Sequence, residues 1–105
     1  MHKFMRMIVF FDLPVQTPKQ RSDATHFRNF LLKDGYYMLQ YSVYVRICNG
    51  MDAVNTHKAR LMTQVPDDGS IRLMVVTEKQ YESIELILGE YTGGDQQQPN
   101  DVTVI

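Results

Sequence analysis

The sequence has a single cysteine, no excess of charge of either sign and no long apolar run. Each absence excludes something. Cys48 alone cannot close an internal disulfide, which fits a reducing cytoplasm. No stretch approaches the roughly 20 apolar residues that a membrane-spanning helix requires. Met1-His2-Lys3-Phe4 leaves no room for a signal peptide before the apolar run ends in Asp12, so a cytoplasmic protein without membrane contact is expected. The formal net charge of −1 lacks the basic footprint of an autonomous nucleic-acid binder, although a locally basic face stays open. Neither His26 nor His57 has a second His or Cys at ligand spacing, so no zinc site is expected. No Gly-Phe-Gly/Ala-Phe stretch occurs, which disfavours an RNA-recognition-motif module.

What is present is ordinary globular material. The 105 residues hold one core, and 44% apolar with 22% charged residues favours folding over disorder. Arg6-Met7-Ile8-Val9-Phe10-Phe11 reads as a central strand buried on both faces, closed by Asp12 and Pro14. Thr17, Pro18 and Gln20 make an N-cap, a first-turn proline and a capping box. The helix they start runs to about Asp34, with Gly35 ending it and Ala24, Phe27, Phe30 and Leu31 as its apolar stripe. Tyr36-Tyr37-Met38-Leu39 and Ser42-Val43-Tyr44-Val45-Arg46-Ile47-Cys48 read as an antiparallel pair. A second helix is expected from residue 52 to about 64, on Val54, Leu61 and Val65, then a turn at Pro66-Asp67-Asp68-Gly69. A strand from Ser70 to Val76, a helical turn at residues 78–82 and a last strand on Ile84, Leu86 and Leu88 complete the pattern.

This order is the split βαβ arrangement: an α+β, ferredoxin-like βαββαβ sandwich with an additional C-terminal strand. Residues 1–89 form the domain. Residues 90–105 read as a flexible polar tail ending in a strand-like docking segment, Val102, Thr103, Val104 and Ile105. Both helices then cover one sheet face. A second copy is the natural cover for the other, which predicts a two-fold homodimer.

Asp12 is the leading candidate for chemistry, because a strand end holds a carboxylate in a fixed direction. One carboxylate is a poor divalent-metal site, whereas two related by a dimer axis supply paired oxygen ligands. By residue type alone, the favoured reading is the plainer one, that Asp12 starts the turn at Leu13-Pro14. Lys19, Arg21, Arg28 and Lys33 decorate the first helix and suit either phosphate contact or a solvated face. His57 reads as a partly buried structural histidine and Cys48 as a packing residue. Tyr36, Tyr37, Tyr41 and Tyr44 read as core or interface filling rather than base-stacking groups.

In combination, Met7-Ile8-Val9-Phe10-Phe11-Asp12-Leu13-Pro14, Phe27-Arg28-Asn29-Phe30-Leu31-Leu32-Lys33-Asp34-Gly35, Gln40-Tyr41-Ser42-Val43-Tyr44 and Thr77-Glu78-Lys79-Gln80-Tyr81 resemble the CRISPR-associated protein 2 family, most closely its type II members. The resemblance runs over residues 5–89. It implies a dimeric ferredoxin-like fold in which Asp12 approaches its mate across the axis and holds Mg2+ or Mn2+. It further implies a scaffold of the adaptation complex that bridges integrase dimers and holds double-stranded protospacer DNA, with the C-terminal segment docking on the integrase by strand addition. The alternative is a magnesium-dependent endonuclease acting on RNA or DNA, or a toxin-like ribonuclease resembling the virulence-associated protein D group. Phe11 stands where many members carry tyrosine, and the basic cluster after strand one is thinned to Lys19 and Arg21. Both departures weigh against independent nuclease activity.

Overall fold

The computed structural model describes residues 4–90. Four strands and three helices follow in the order β1 (Phe4–Asp12), α1 (Pro18–Lys33), β2 (Tyr37–Gln40), β3 (Val43–Asn49), α2 (Met51–Met62), β4 (Ser70–Thr77) and α3 (Glu78–Glu82). The strands form one sheet in the order β2-β3-β1-β4, with every neighbouring pair antiparallel. This is the expected α+β, ferredoxin-like arrangement.

The near-continuous apolar stretch of β1 follows from its place between β3 and β4, with both faces needing cover. Alternate residues Met7, Val9 and Phe11 pack with Phe27 and Leu31 of α1 and Val54 and Leu61 of α2. Phe27 and Leu31 are fully buried, each contributing about 2 kcal/mol of apolar burial. Phe11 meets Phe27 edge to face at 5.3 Å, which locks the end of β1 against α1. The N-terminus of α1 is the expected capping box: Thr17 accepts from the Gln20 amide, and the Gln20 side chain accepts from the Thr17 amide. Thr77 and Gln80 repeat the device at α3. Val65, assigned by spacing to the stripe of α2, lies beyond that helix and is exposed.

The opposite face is only partly covered. Tyr81 of α3 packs on Ile8 and Val45, while Phe10, Ile47 and Met74 stay 36%, 47% and 47% exposed. Underneath α3 lies Arg6, 2% exposed. It donates to both carboxylate oxygens of Glu78 (2.6 and 2.9 Å) and to the Tyr37 hydroxyl (2.9 Å), with its guanidinium 4.1 Å from the Tyr81 ring centroid. A buried cation is tolerated because every side of it is matched.

One expected element does not form. Residues 83–90 contain no strand, and Ile84, Ile87 and Leu88 are 53%, 65% and 79% exposed. Alternation marks a chain with two unlike faces, but a strand also needs a hydrogen-bonding neighbour, and no strand of this sheet extends one to the segment. The docking segment Val102, Thr103, Val104 and Ile105 lies outside the described residues. No described helix is long and apolar enough to cross a membrane.

Candidate functional site

Asp12 is the last residue of β1, held from both sides. On one side the Phe11 amide donates to the Ser42 carbonyl (3.0 Å), fixing the β2–β3 turn beside the strand end. On the other, Asp12 pairs with Ser70 at the start of β4. Gly69 lies against its backbone, with φ +101°, and a Cβ there would fall 2.7 Å from the Asp12 carbonyl oxygen and 2.8 Å from the Leu13 side chain. Only glycine takes that conformation at that approach. The backbone of Asp12 is thus set by its pairing with β4, by the β2–β3 turn bonded to Phe11 and by the tight turn at Gly69. Its side chain is exposed and bonds no other described residue.

The neighbouring carboxylates are drawn elsewhere. Lys19 bridges Asp23 (2.8 Å) and Asp67 (3.4 Å), and Gln20 donates to Asp68 (3.4 Å). The Asp23 and Asp67 contacts raise the Lys19 ammonium above its ordinary pKa. Among the described residues no three His, Cys, Asp or Glu side chains gather as a metal-binding group. Asp12 therefore fits a divalent cation as one oxygen ligand among several, with the others coming from outside the chain.

The candidate basic residues are not brought to Asp12. All four lie on α1, in the layer behind the sheet, whereas Asp12 follows Phe10 and Ile8 on the open face. Lys19 is tied up by carboxylates. Arg21 donates to the Val15 and Gln16 carbonyls (3.1 and 3.2 Å), tying the loop after β1 to the helix. Arg28 bonds the Thr25 hydroxyl at 3.3 Å. Lys33 lines a shallow depression with His26, Phe30 and Gln64. A basic residue outside that set, Arg72 of β4, pairs with Phe10 and so sits on the open face one step from Asp12. Alternation within Ser70–Thr77 already puts Arg72, Met74 and Val76 on one side. Which strand they meet there depends on register.

Two other polar groups are structural. The Asp34 carboxylate, 6% exposed, receives Arg60 and meets Nδ1 of His57, each at 2.8 Å, clasping the end of α1 to α2. His57 thus has the partly buried structural place expected of it. Burial alone would push the Asp34 carboxyl up, but the hydrogen bonds from His57 and Arg60 outweigh it and hold its pKa below the ordinary value. Cys48 is buried and its thiol is pushed up by that burial, which disfavours the thiolate a nucleophile requires. Tyr36 and Tyr44 are buried as core filling; Tyr41, 84% exposed, is not.

The fold and the acidic strand tip define a ferredoxin-like α+β domain whose candidate site lies at the end of a central strand rather than in a cavity. The CRISPR associated protein Cas2 family profile matches residues 5–84. A CRISPR-associated endoribonuclease Cas2 of Acidovorax ebreus is 54% identical over 85 residues, covering 81% of this chain and 83% of the relative. The protein of the same name from Campylobacter jejuni is 42% identical, covering 83% of this chain and 61% of the relative. That of Parvibaculum lavamentivorans is 37% identical, covering 93% and 97%. A crystal structure of cas2 superposes with a TM-score of 0.58 at 20% identity, covering 96% of this chain and 99% of that one. The chain belongs to the Cas2 family of CRISPR-associated proteins.

Proposed function

We propose that the chain acts in CRISPR adaptation as a two-fold dimer that bridges integrase dimers and holds double-stranded DNA during spacer acquisition. The observation that carries this reading is the half-covered sheet face. Phe10, Ile47 and Met74 are exposed opposite the helix layer, with Asp12, which bonds no other described residue, at their rim. A second copy laid on that face buries apolar surface on both chains and brings two carboxylates toward one axis. Backbone contacts to DNA position a duplex without reading its sequence. The Val102, Thr103, Val104 and Ile105 segment supplies the strand that docks on the integrase in the cytoplasm.

A second reading is a metal-dependent endoribonuclease. The relatives, named CRISPR-associated endoribonucleases, favour it, as does a carboxylate that bonds no other described residue. Asp12 of each chain would hold Mg2+ or Mn2+, which supplies an activated water and offsets charge developing on the phosphate. This chain's own part is to aim the carboxylate, through the Ser42 and Ser70 pairings on either side of β1.

Pull-down with the cognate integrase subunit and a DNA duplex, comparing wild type with Asp12→Ala, separates the two. Complex formation by both proteins without cleavage supports the scaffold. Cleavage by wild type that Asp12→Ala abolishes supports the nuclease. Complex formation by neither overturns the scaffold, and deletion of the residues after Gly94 tests the tail in the same assay.

A further inference from the structure

Among the described residues, three sheet positions on the open face carry charge: Arg6, Asp12 and Arg72. Arg6 is matched by Glu78. The other two are not. The Phe10–Arg72 and Asp12–Ser70 pairings make Asp12 and Arg72 diagonal neighbours, about 7–8 Å apart at the backbone and within reach of a long side chain. Yet they form no ion pair with one another or with any other described residue. Among the described residues the Arg72 guanidinium makes a single bond, a long one of 3.4 Å to the Ser70 hydroxyl.

Whatever covers this face must answer both charges, because enclosing either one without its counter-charge is strongly destabilising. A second copy answers both at once, since the same face carries one charge of each sign. In a two-fold contact, if one residue meets another of the partner, the reverse contact is made as well. Ser70 and Phe10 form the other diagonal of the same four-residue block. A two-fold axis lying between the two sheets along that diagonal exchanges the ends of the first one. Each Asp12 then stands over the partner's Arg72, and Phe10, 36% exposed, meets its own copy on the axis.

We infer that the two copies are registered by a reciprocal ion pair, the Asp12 carboxylate of each chain accepting from the partner's Arg72. The inference rests on the two-fold dimer proposed above and names the residues that align it. Asp12 ends β1 and Arg72 lies on the edge strand β4, so the pair sits at a corner of the sheet. There it sets register and partner choice more than affinity. Neutral replacement is accordingly mild, and charge reversal is the informative change. The pair also neutralises both carboxylates where they approach the axis, so the dimer holds without a cation.

The test is sedimentation of the full chain in EDTA at about 0.15 M salt, where charges more than about 8 Å apart are screened. The samples are wild type, Asp12→Arg, Arg72→Asp, an equal mixture of those two variants, and one chain carrying both changes. Circular dichroism checks that each variant is folded. Each single reversal sets like charges together twice and should weaken self-association roughly 100-fold. The mixture should dimerise, because both contacts become opposite in sign only between unlike chains. The doubly reversed chain should dimerise by itself. Asp12→Arg mixed with Arg28→Asp, a reversal on α1, should not recover. Single reversals that dimerise as wild type does, or a mixture no better than its components, overturn the pair and leave the dimer standing. Recovery with Arg28→Asp also overturns it, making the effect one of net charge. A monomeric wild type overturns the pair and the two-fold reading together.

Discussion

Arg6 in β1 and Glu78 at the start of α3 meet as a two-point ion pair, at 2.6 and 2.9 Å, beneath the helix that closes part of the open face. Burial opposes the Arg6 charge, and the Glu78 hydrogen bond together with the charge interactions with Tyr37, Glu78 and Tyr81 outweighs that cost, raising its pKa. The pair fastens α3, and with it Tyr81, to Ile8 and Val45.

Glu78→Ala should therefore be costly well beyond a surface substitution. It leaves a cation that is 2% exposed without its counter-charge, for a loss of about 3 kcal/mol. Urea denaturation measures it. Arg6→Lys should also destabilise, because an ammonium cannot donate to both carboxylate oxygens in the plane that a guanidinium fork does. A Glu78→Ala protein with the wild-type midpoint would show the pair to be dispensable.

Asp34 makes stability depend on pH in one direction. Its folded pKa lies below the ordinary 3.8, so its contribution is complete above that value and is lost as pH falls through the folded pKa. Asp34→Ala should cost about 2 kcal/mol at about pH 5, where His57 and Arg60 lose their shared acceptor. The gap between variant and wild type should narrow as pH drops below 3.8. Urea midpoints from about pH 5 downward check this, and a gap constant to the lowest pH would contradict it.

Gly69→Ala should disturb the site through the backbone. The new Cβ meets the Asp12 carbonyl oxygen at 2.7 Å, and φ of +101° is strained for any L side chain. A loss of about 2 kcal/mol is expected. Gly50→Ala is the control, since Gly50 has φ +98° but nothing within 4 Å of its Cβ position. The excess loss in Gly69→Ala over Gly50→Ala, read by thermal or urea melts, isolates the close approach to Asp12.

Much of this was legible along the chain. The Thr17-x-x-Gln20 box announces α1 because the cap chemistry is local, the same spacing at Thr77 and Gln80 was there to be read for α3, and the apolar run of β1 announces a central strand. Asp12 is visible as the residue that stops that run. What was not legible depends on register or on a partner strand. Arg6 looks like an ordinary strand start, and only the fold brings Glu78 under it from the far end of the domain. Arg72 reaches the site through its pairing with Phe10, which no local pattern reports. Ile84, Leu86 and Leu88 alternate as a strand does, yet alternation does not provide a neighbour to bond. Tyr41 shares its composition with the buried tyrosines around it and differs only in occupying the turn.

Asp12 is where the two functional readings make opposite demands. Its side chain is exposed and bonds no other described residue, so Asp12→Asn should leave stability within about 0.5 kcal/mol of wild type. A metal-dependent cleavage centred on paired carboxylates requires an intact Asp12 from both chains. Wild type and Asp12→Asn, co-refolded in equal amounts and assorting at random, leave about a quarter of the dimers with two carboxylates. Magnesium-dependent activity per chain should then fall to about a quarter of wild type, against about half if each chain carries a complete centre. Among the described residues the Asp12 carboxylate has no bonding partner and no acidic neighbour gathered beside it, which favours the quarter. A result near half would place the remaining ligands within one chain, against the geometry of Asp23, Asp67 and Asp68, which point their bonds to Lys19 and Gln20 instead. Activity absent from wild type and mixture alike, with DNA still held, is what the scaffold demands.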